Sequence, residues 1–123
     1  MKNLIIIILL VIGSSFCFSQ EFINPDNFKN KVAKDIVVVE FWAGWNDSNS
    51  AKYELSDCSY YLVDISKYMD LQMEFDITAI PTVIVFESGE EKIRFLPNVM
   101  FKLDADEKTV QKDIDELMLS KFN

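Results

Sequence analysis

Seven residues constrain this chain more than any others. Ile36 to Trp42 reads Ile-Val-Val-Val-Glu-Phe-Trp, an apolar and β-branched run broken only by Glu40. A run with no polar alternation is a strand covered on both faces, which places it at the centre of a sheet with other elements packed above and below. The flanking segments fit an α/β order. Asn24-Pro25 reads as an N-cap and first helical residue, with Phe28 and Val32 following at helical spacing. Ser59 to Ile65 reads as a second strand. Ser66 is the expected cap of a helix over roughly Lys67 to Phe75, with Tyr68, Leu71 and Phe75 on one face. Thr82 to Phe86 reads as a third strand, Ser88-Gly89-Glu90 as a hairpin turn, and Lys92 to Leu96 as the antiparallel return. Val99 to Leu103 has no clear period and reads at most as more extended chain. Asp104 with Glu107 resembles a capping box. Val110, Ile114, Leu117 and Met118 form the apolar stripe of a last helix.

Composition then removes several functions. The 123 residues suit one compact domain. The chain has no histidine, the commonest general base and metal ligand, and its two cysteines cannot build a Cys-rich zinc site. No metal and no cofactor is expected. A net charge of −8 argues against nucleic acid, which needs clustered Lys and Arg. Asp104-Ala105-Asp106-Glu107 lacks the glycine and later ligands of a calcium loop, so helix capping is the better account.

The start of the chain has the layout of a secretory signal peptide. Lys2 gives a basic start, Leu4 to Ile12 is continuously apolar, and Gly13, Ser14 and Ser15 end the run. The run is shorter than the ~20 residues that span a bilayer. Cleavage is expected after Ser19, with Gln20 a near alternative, giving a leader over 1–19 and a domain over 20–123. Phe16 is too bulky to precede an acylated cysteine, which argues against a lipid anchor at Cys17. The expectation is an exported protein, periplasmic or secreted, with no membrane association once the leader is gone. Only Cys58 then remains, so an intramolecular disulfide is excluded by count.

Two stretches carry a family resemblance. Phe41-Trp42-Ala43-Gly44-Trp45 closes the central strand, and Ile80-Pro81-Thr82 opens the third one more than thirty residues later. With the hairpin around Gly89 and the last helix, this order resembles the thioredoxin family over roughly Phe22 to Phe122. The resemblance implies a three-layer α/β/α sandwich with a mixed four-stranded central sheet. It also implies a cis proline at Pro81 facing a Cys-x-x-Cys pair at the start of a helix. Here Asn46 and Asn49 occupy the cysteine positions. Dithiol exchange needs an attacking thiolate and a resolving thiol, and an amide is neither. Asparagine is a good N-cap, so the helix start is expected to persist without its chemistry. Only ten residues, Ser50 to Ser59, separate Asn49 from Tyr60. The helix after the turn must therefore be shortened or replaced by a loop, opening the groove it helps to wall.

Glu40 stands where the family has a buried Asp. It is either a residual proton carrier or an acid that packs and pairs structurally. Cys58 is a semi-buried residue before a strand, a bridge to a second chain, or a monothiol; the preceding Asp57 disfavours the thiolate. Asn46-Asp47-Ser48 matches a glycosylation acceptor, a pattern common by chance. Trp42 is expected in the core, while Trp45 either packs the turn or offers a contact surface. The expected binding residues are Trp45, Asn46, Asp47, Ser48, Asn49, Ile80 and Pro81, with no catalytic residue among them. In the family, the backbone before the proline pairs with an extended segment. The expected function is a non-catalytic binding module for an extended peptide or partner protein. The alternatives are thiol–disulfide exchange through Cys58 and a disulfide-linked structural dimer.

Overall fold

The computed structural model describes residues 21–122. The leader, its cut and Cys17 lie outside them. In chain order the elements are β1 (Glu21–Phe22), α1 (Pro25–Val32), β2 (Ile36–Trp42), a 3₁₀ segment (Gly44–Asn49), β3 (Ser59–Asp64), α2 (Met69–Glu74), β4 (Thr82–Glu87), β5 (Glu90–Phe95) and α3 (Glu107–Ser120).

The sheet order is β1-β3-β2-β4-β5. β2 lies in the middle, parallel to β3 (Val37↔Ser59 to Trp42↔Asp64) and antiparallel to β4. The sheet has five strands rather than the expected four. β1 adds itself in parallel to the outer edge of β3, with Glu21 opposite Tyr61 and Phe22 opposite Leu62. Two residues are too few to show a strand period.

The alternation of β2 explains why its whole run is apolar. Val37, Val39 and Phe41 face one layer with Phe28, Val32, Leu71, Ile77 and Phe86. Ile36 and Val38 face the other with Tyr53, Val83, Val85, Val110 and Ile114. The first layer is held by four phenylalanines: Phe28, Phe41, Phe75 and Phe86 have ring centroids 5.0 to 6.4 Å apart. Period two places Glu40 on the second face, beneath the segment between the 3₁₀ turn and β3.

The caps mix agreement and correction. Asn24 caps α1 as expected, accepting from Asp26 N and Asn27 N, and Asn27 completes the box. Ser66 does not cap α2. It turns back on Asp64, donating from both its N–H and its hydroxyl, and the helix starts later, at Met69. The α3 cap is Asp106, not Asp104; its Oδ1 accepts from Thr109 N at 2.8 Å. That hydrogen bond draws the Asp106 carboxyl below its ordinary range. The hairpin between β4 and β5 turns through Ser88 and Gly89, both at positive φ, as a two-residue hairpin of this hand requires.

Between β5 and α3 the chain makes a short finger. Pro97 and Leu103 form a bridge at its base, and Asn98 N donates to Lys102 O at 2.7 Å. The Asn98 side chain sets its shape, accepting from Met100 N and Lys102 N and donating to Asp104 Oδ1. From sequence, Val99 to Leu103 is expected at most as extended chain. The extra turn comes from Asn98, and the finger presents Val99 and Met100 to solvent.

Candidate functional site

β2 delivers the chain to the site. Past Trp42 it tightens into the 3₁₀ segment, whose bonds include Asn46 N to Ala43 O at 3.0 Å. Neither asparagine caps a helix, contrary to expectation. Ala43 holds the cap position without a side-chain bond, and Asn46 lies inside the segment with non-helical φ and ψ. No α-helix follows. Residues 50–58 cross the second face as irregular chain, so the shortened helix is reduced to this 3₁₀ segment.

Asn46 is buried at 8% exposure. Its Nδ2 donates to Ile80 O at 3.4 Å and to Phe101 O at 3.1 Å, and its Oδ1 accepts from Asn49 Nδ2 at 2.9 Å. One carboxamide thus ties together the turn, the residue before the proline and the finger. The same engagement leaves its nitrogen no freedom to carry a glycan. The Ile80–Pro81 bond is cis, as the resemblance implies. Both residues are buried, and Thr82 Oγ1 donates to Ala79 O at 2.6 Å behind them.

Trp45 is 70% exposed and meets the Phe101 ring edge-on at a centroid distance of 5.9 Å. These two rings, with Ile65, Gln72, Ile77, Thr78, Ala79 and Ile80, line a groove of about 150 Å³. The turn residues divide. Trp45 faces this groove and Asn46 braces it from below. Ser48 and Asn49 line a separate hollow with Tyr53 and Lys102, and Asp47 pairs with Lys52 at 3.9 Å. Sequence reasoning missed Phe101. Its signal was the apolar triplet Val99-Met100-Phe101 in a stretch with no helical or strand period.

Glu40 is fully buried and fully engaged. Its carboxylate accepts from Ser50 Oγ at 2.7 Å, Ala51 N at 3.1 Å, Lys52 N at 3.3 Å and Tyr60 OH at 2.5 Å. A buried carboxylate is tolerated when donors replace its water. Here the donors are the backbone and side chains of the segment that stands in for a helix. Glu40 therefore anchors that segment to the central strand. Burial first, and then the Glu40 charge, push the Tyr60 hydroxyl well above its ordinary range. Tyr53, which donates to Ala105 O, is pushed up to about 12, again by burial first and Glu40 second.

Cys58 is not near the groove. It precedes β3, whose first residue pairs with Val37, while the turn leaves the other end of β2 after Trp42. About 20 Å of strand lies between the two ends. The thiol is half-buried against the second layer, and its pKa is pushed up to about 11 by burial, then by Asp57 and Asp115. Trp42 is half-buried rather than fully in the core, and stacks edge-on against Phe22 at 5.5 Å. Among the described residues, no three His, Cys, Asp or Glu side chains converge as a metal donor set would. No helix there is long and apolar enough to cross a membrane.

Comparison with known proteins agrees with this architecture. The sequence model of the thioredoxin family matches residues 19–100. A thioredoxin of Mycoplasma genitalium is 36% identical over 76 residues, covering 53% of this chain and 74% of that protein. Thioredoxin-1 of Saccharomyces cerevisiae is 27% identical over 82 residues, covering 58% and 78%. Among solved structures, a mutant thioredoxin of Halobacterium salinarum superposes with a TM-score of 0.64 at 16% identity, covering 80% of this chain and 90% of that one. Mitochondrial thioredoxin 3 of Saccharomyces cerevisiae gives 0.59 at 18% identity, covering 79% and 94%. These two likenesses concern the fold. The family match spans well over half of the sequence, and by it this chain belongs to the thioredoxin family.

Proposed function

We propose that this chain is an exported, non-catalytic binding module that holds an extended segment of a peptide or partner protein. The observation that carries the reading is the surface around Ile80. An exposed Trp45 stands over a groove that ends at the cis Ile80–Pro81 bond. Among the described residues nothing pairs with the Ile80 N–H. An extended segment can pair with that donor in strand fashion and lay a side chain against Trp45. Export is supported by the basic start and the apolar run of the leader.

The absence of exchange chemistry is supported by the residues at the turn. The amides of Asn46 and Asn49 are spent on each other and on two carbonyls. Cys58 lies at the far end of the sheet with its thiolate disfavoured. The test has two arms. Insulin reduction by dithiothreitol, followed as turbidity, is expected to run no faster with the wild-type chain or Cys58→Ser than with dithiothreitol alone. A displayed library of random decapeptides is expected to yield binders whose affinity falls about tenfold or more with Trp45→Ala, as for an aromatic anchor. Cys58-dependent turnover would overturn the reading.

A further inference from the structure

The finger's shape and the finger's place have different causes. Its shape is internal, set by the three side-chain bonds of Asn98 and the bridge at its base. Leu103 seats its base against the second core layer, and two contacts hold its Phe101 end at the groove: Asn46 Nδ2 to Phe101 O, and the Trp45 ring against the Phe101 ring. A carboxamide has two N–H donors and one carbonyl acceptor. Asn46 uses both donors on carbonyls from separate loops and its oxygen on Asn49. The groove it braces carries no charged side chain, and Gln72 and Thr78 are its polar members.

We propose that Asn46 is the positioning residue of this groove: its carboxamide holds Phe101 in place as the outer wall, and the resulting slot takes one uncharged apolar side chain of an extended segment. The slot part rests on the peptide-binding reading above. A volume of about 150 Å³ suits a single Leu-, Met- or Phe-sized group. A charged side chain would lose its water there without a countercharge in return. With Phe101 released, one wall is gone and the size preference goes with it.

The test is Asn46→Asp and Asn46→Ala in the full chain, with Phe101→Ala as reference for a missing wall. Asn46→Asp keeps the shape but sets an acceptor against the Ile80 and Phe101 carbonyls. The nuclear Overhauser contact between the Trp45 and Phe101 rings should be present in the wild type at pH 7.5 and at pH 5.5. In Asn46→Asp it should vanish at pH 7.5 and return in part at pH 5.5. Burial and two facing carbonyls favour protonation of the new carboxyl, which can then donate once. In Asn46→Ala it should be absent at both. A generally loosened fold would show no such return on acidification.

In decapeptide selection, the wild type should enrich Leu, Ile, Met or Phe at one position. Asn46→Asp at pH 7.5 and Phe101→Ala should lose that preference and bind at least fivefold more weakly. Persistence of the ring contact in the folded variants at pH 7.5 overturns the positioning role, and Asn46→Ala decides it if Asn46→Asp does not fold. Binders without an apolar position overturn the slot. If the wild type selects no peptide, the binding reading fails and the slot with it, while the ring contact still decides what Asn46 does.

Discussion

Asn49 donates its Nδ2 to Asn46 Oδ1 at 2.9 Å, so an amide pair joins two positions three residues apart at the end of the central strand. The resemblance gives those positions to a cysteine pair. A hydrogen bond has no oxidised and reduced forms, so it holds the turn equally at any redox poise. The melting temperature is expected to agree within about 1 °C in reduced and oxidised glutathione, since a stabilisation of 1 kcal/mol would move a domain of this size by several degrees. A larger difference, abolished by Cys58→Ser, would show that Cys58 couples the fold to redox state.

Glu40→Gln replaces one acceptor oxygen by a donor. The carboxylate now takes two backbone N–H groups and two hydroxyls, and the amide must turn a donor towards some of them. Hydrogen bonds to a charged group are each worth about 1.5–3 kcal/mol. The expected loss is about 2–4 kcal/mol, measured as a lower urea midpoint with an unchanged slope. A loss below about 0.5 kcal/mol would mean that the carboxylate does not hold the segment.

Three groups predict alkaline sensitivity. Cys58 is raised from 9.0 to about 11, Tyr53 from 10.0 to about 12, and Tyr60 upward as well. Each is held neutral in the fold beyond the pH at which the unfolded chain ionises. Their contribution is therefore complete below about pH 9, the lowest of the unfolded values, and is lost as pH rises towards about 12. The urea midpoint should hold from pH 7 to 8.5 and fall steadily above. Tyr60→Phe should start lower and fall less steeply. A midpoint that rises between pH 9 and 11 would contradict the environments described for these side chains.

Alkylation reads Cys58 directly. A thiol raised from 9.0 to about 11 carries about a hundredfold less thiolate at pH 7.5 than an ordinary one. Iodoacetamide should label the native chain about a hundredfold more slowly than the urea-unfolded chain, with the rate rising tenfold per pH unit up to about pH 10. Equal rates in the two states would remove the case for a masked thiol.

The four-phenylalanine layer should be the mechanical centre of the fold. Phe41 is fully buried between Phe28 and Phe75. Phe41→Ala should cost about 3–5 kcal/mol, the range for deleting a core aromatic ring. The check is the urea midpoint, and a cost under 1 kcal/mol would contradict the packing.

Much of the architecture was legible because it is written in period and turn chemistry. The Ile36–Trp42 run, the Asn24-Pro25 cap and the Ser88-Gly89 turn each declare themselves within a few residues. The missing pieces declare themselves only through distant partners. β1 is two residues long and exists because β3 offers an edge. Asp106 rather than Asp104 caps α3, since Asp104 is taken by Asn98. The finger owes its form to one asparagine, and Phe101 is tied to the site by a backbone carbonyl and by a ring contact with Trp45 that only the folded finger creates. The candidate site was half legible: Trp45, Asn46, Ile80 and Pro81 converge, while Asp47 turns to Lys52 and Cys58 lies a sheet's length away.

The carboxylate under residues 50–52 has a consequence for how the molecule breathes. A surface helix of similar length can fray and reform by itself. The Ser50–Lys52 stretch has no such independence, because its order is borrowed from a residue on the innermost strand. It opens when the sheet opens. The part of the chain that looks most like a loose loop is thus a cooperative extension of the core.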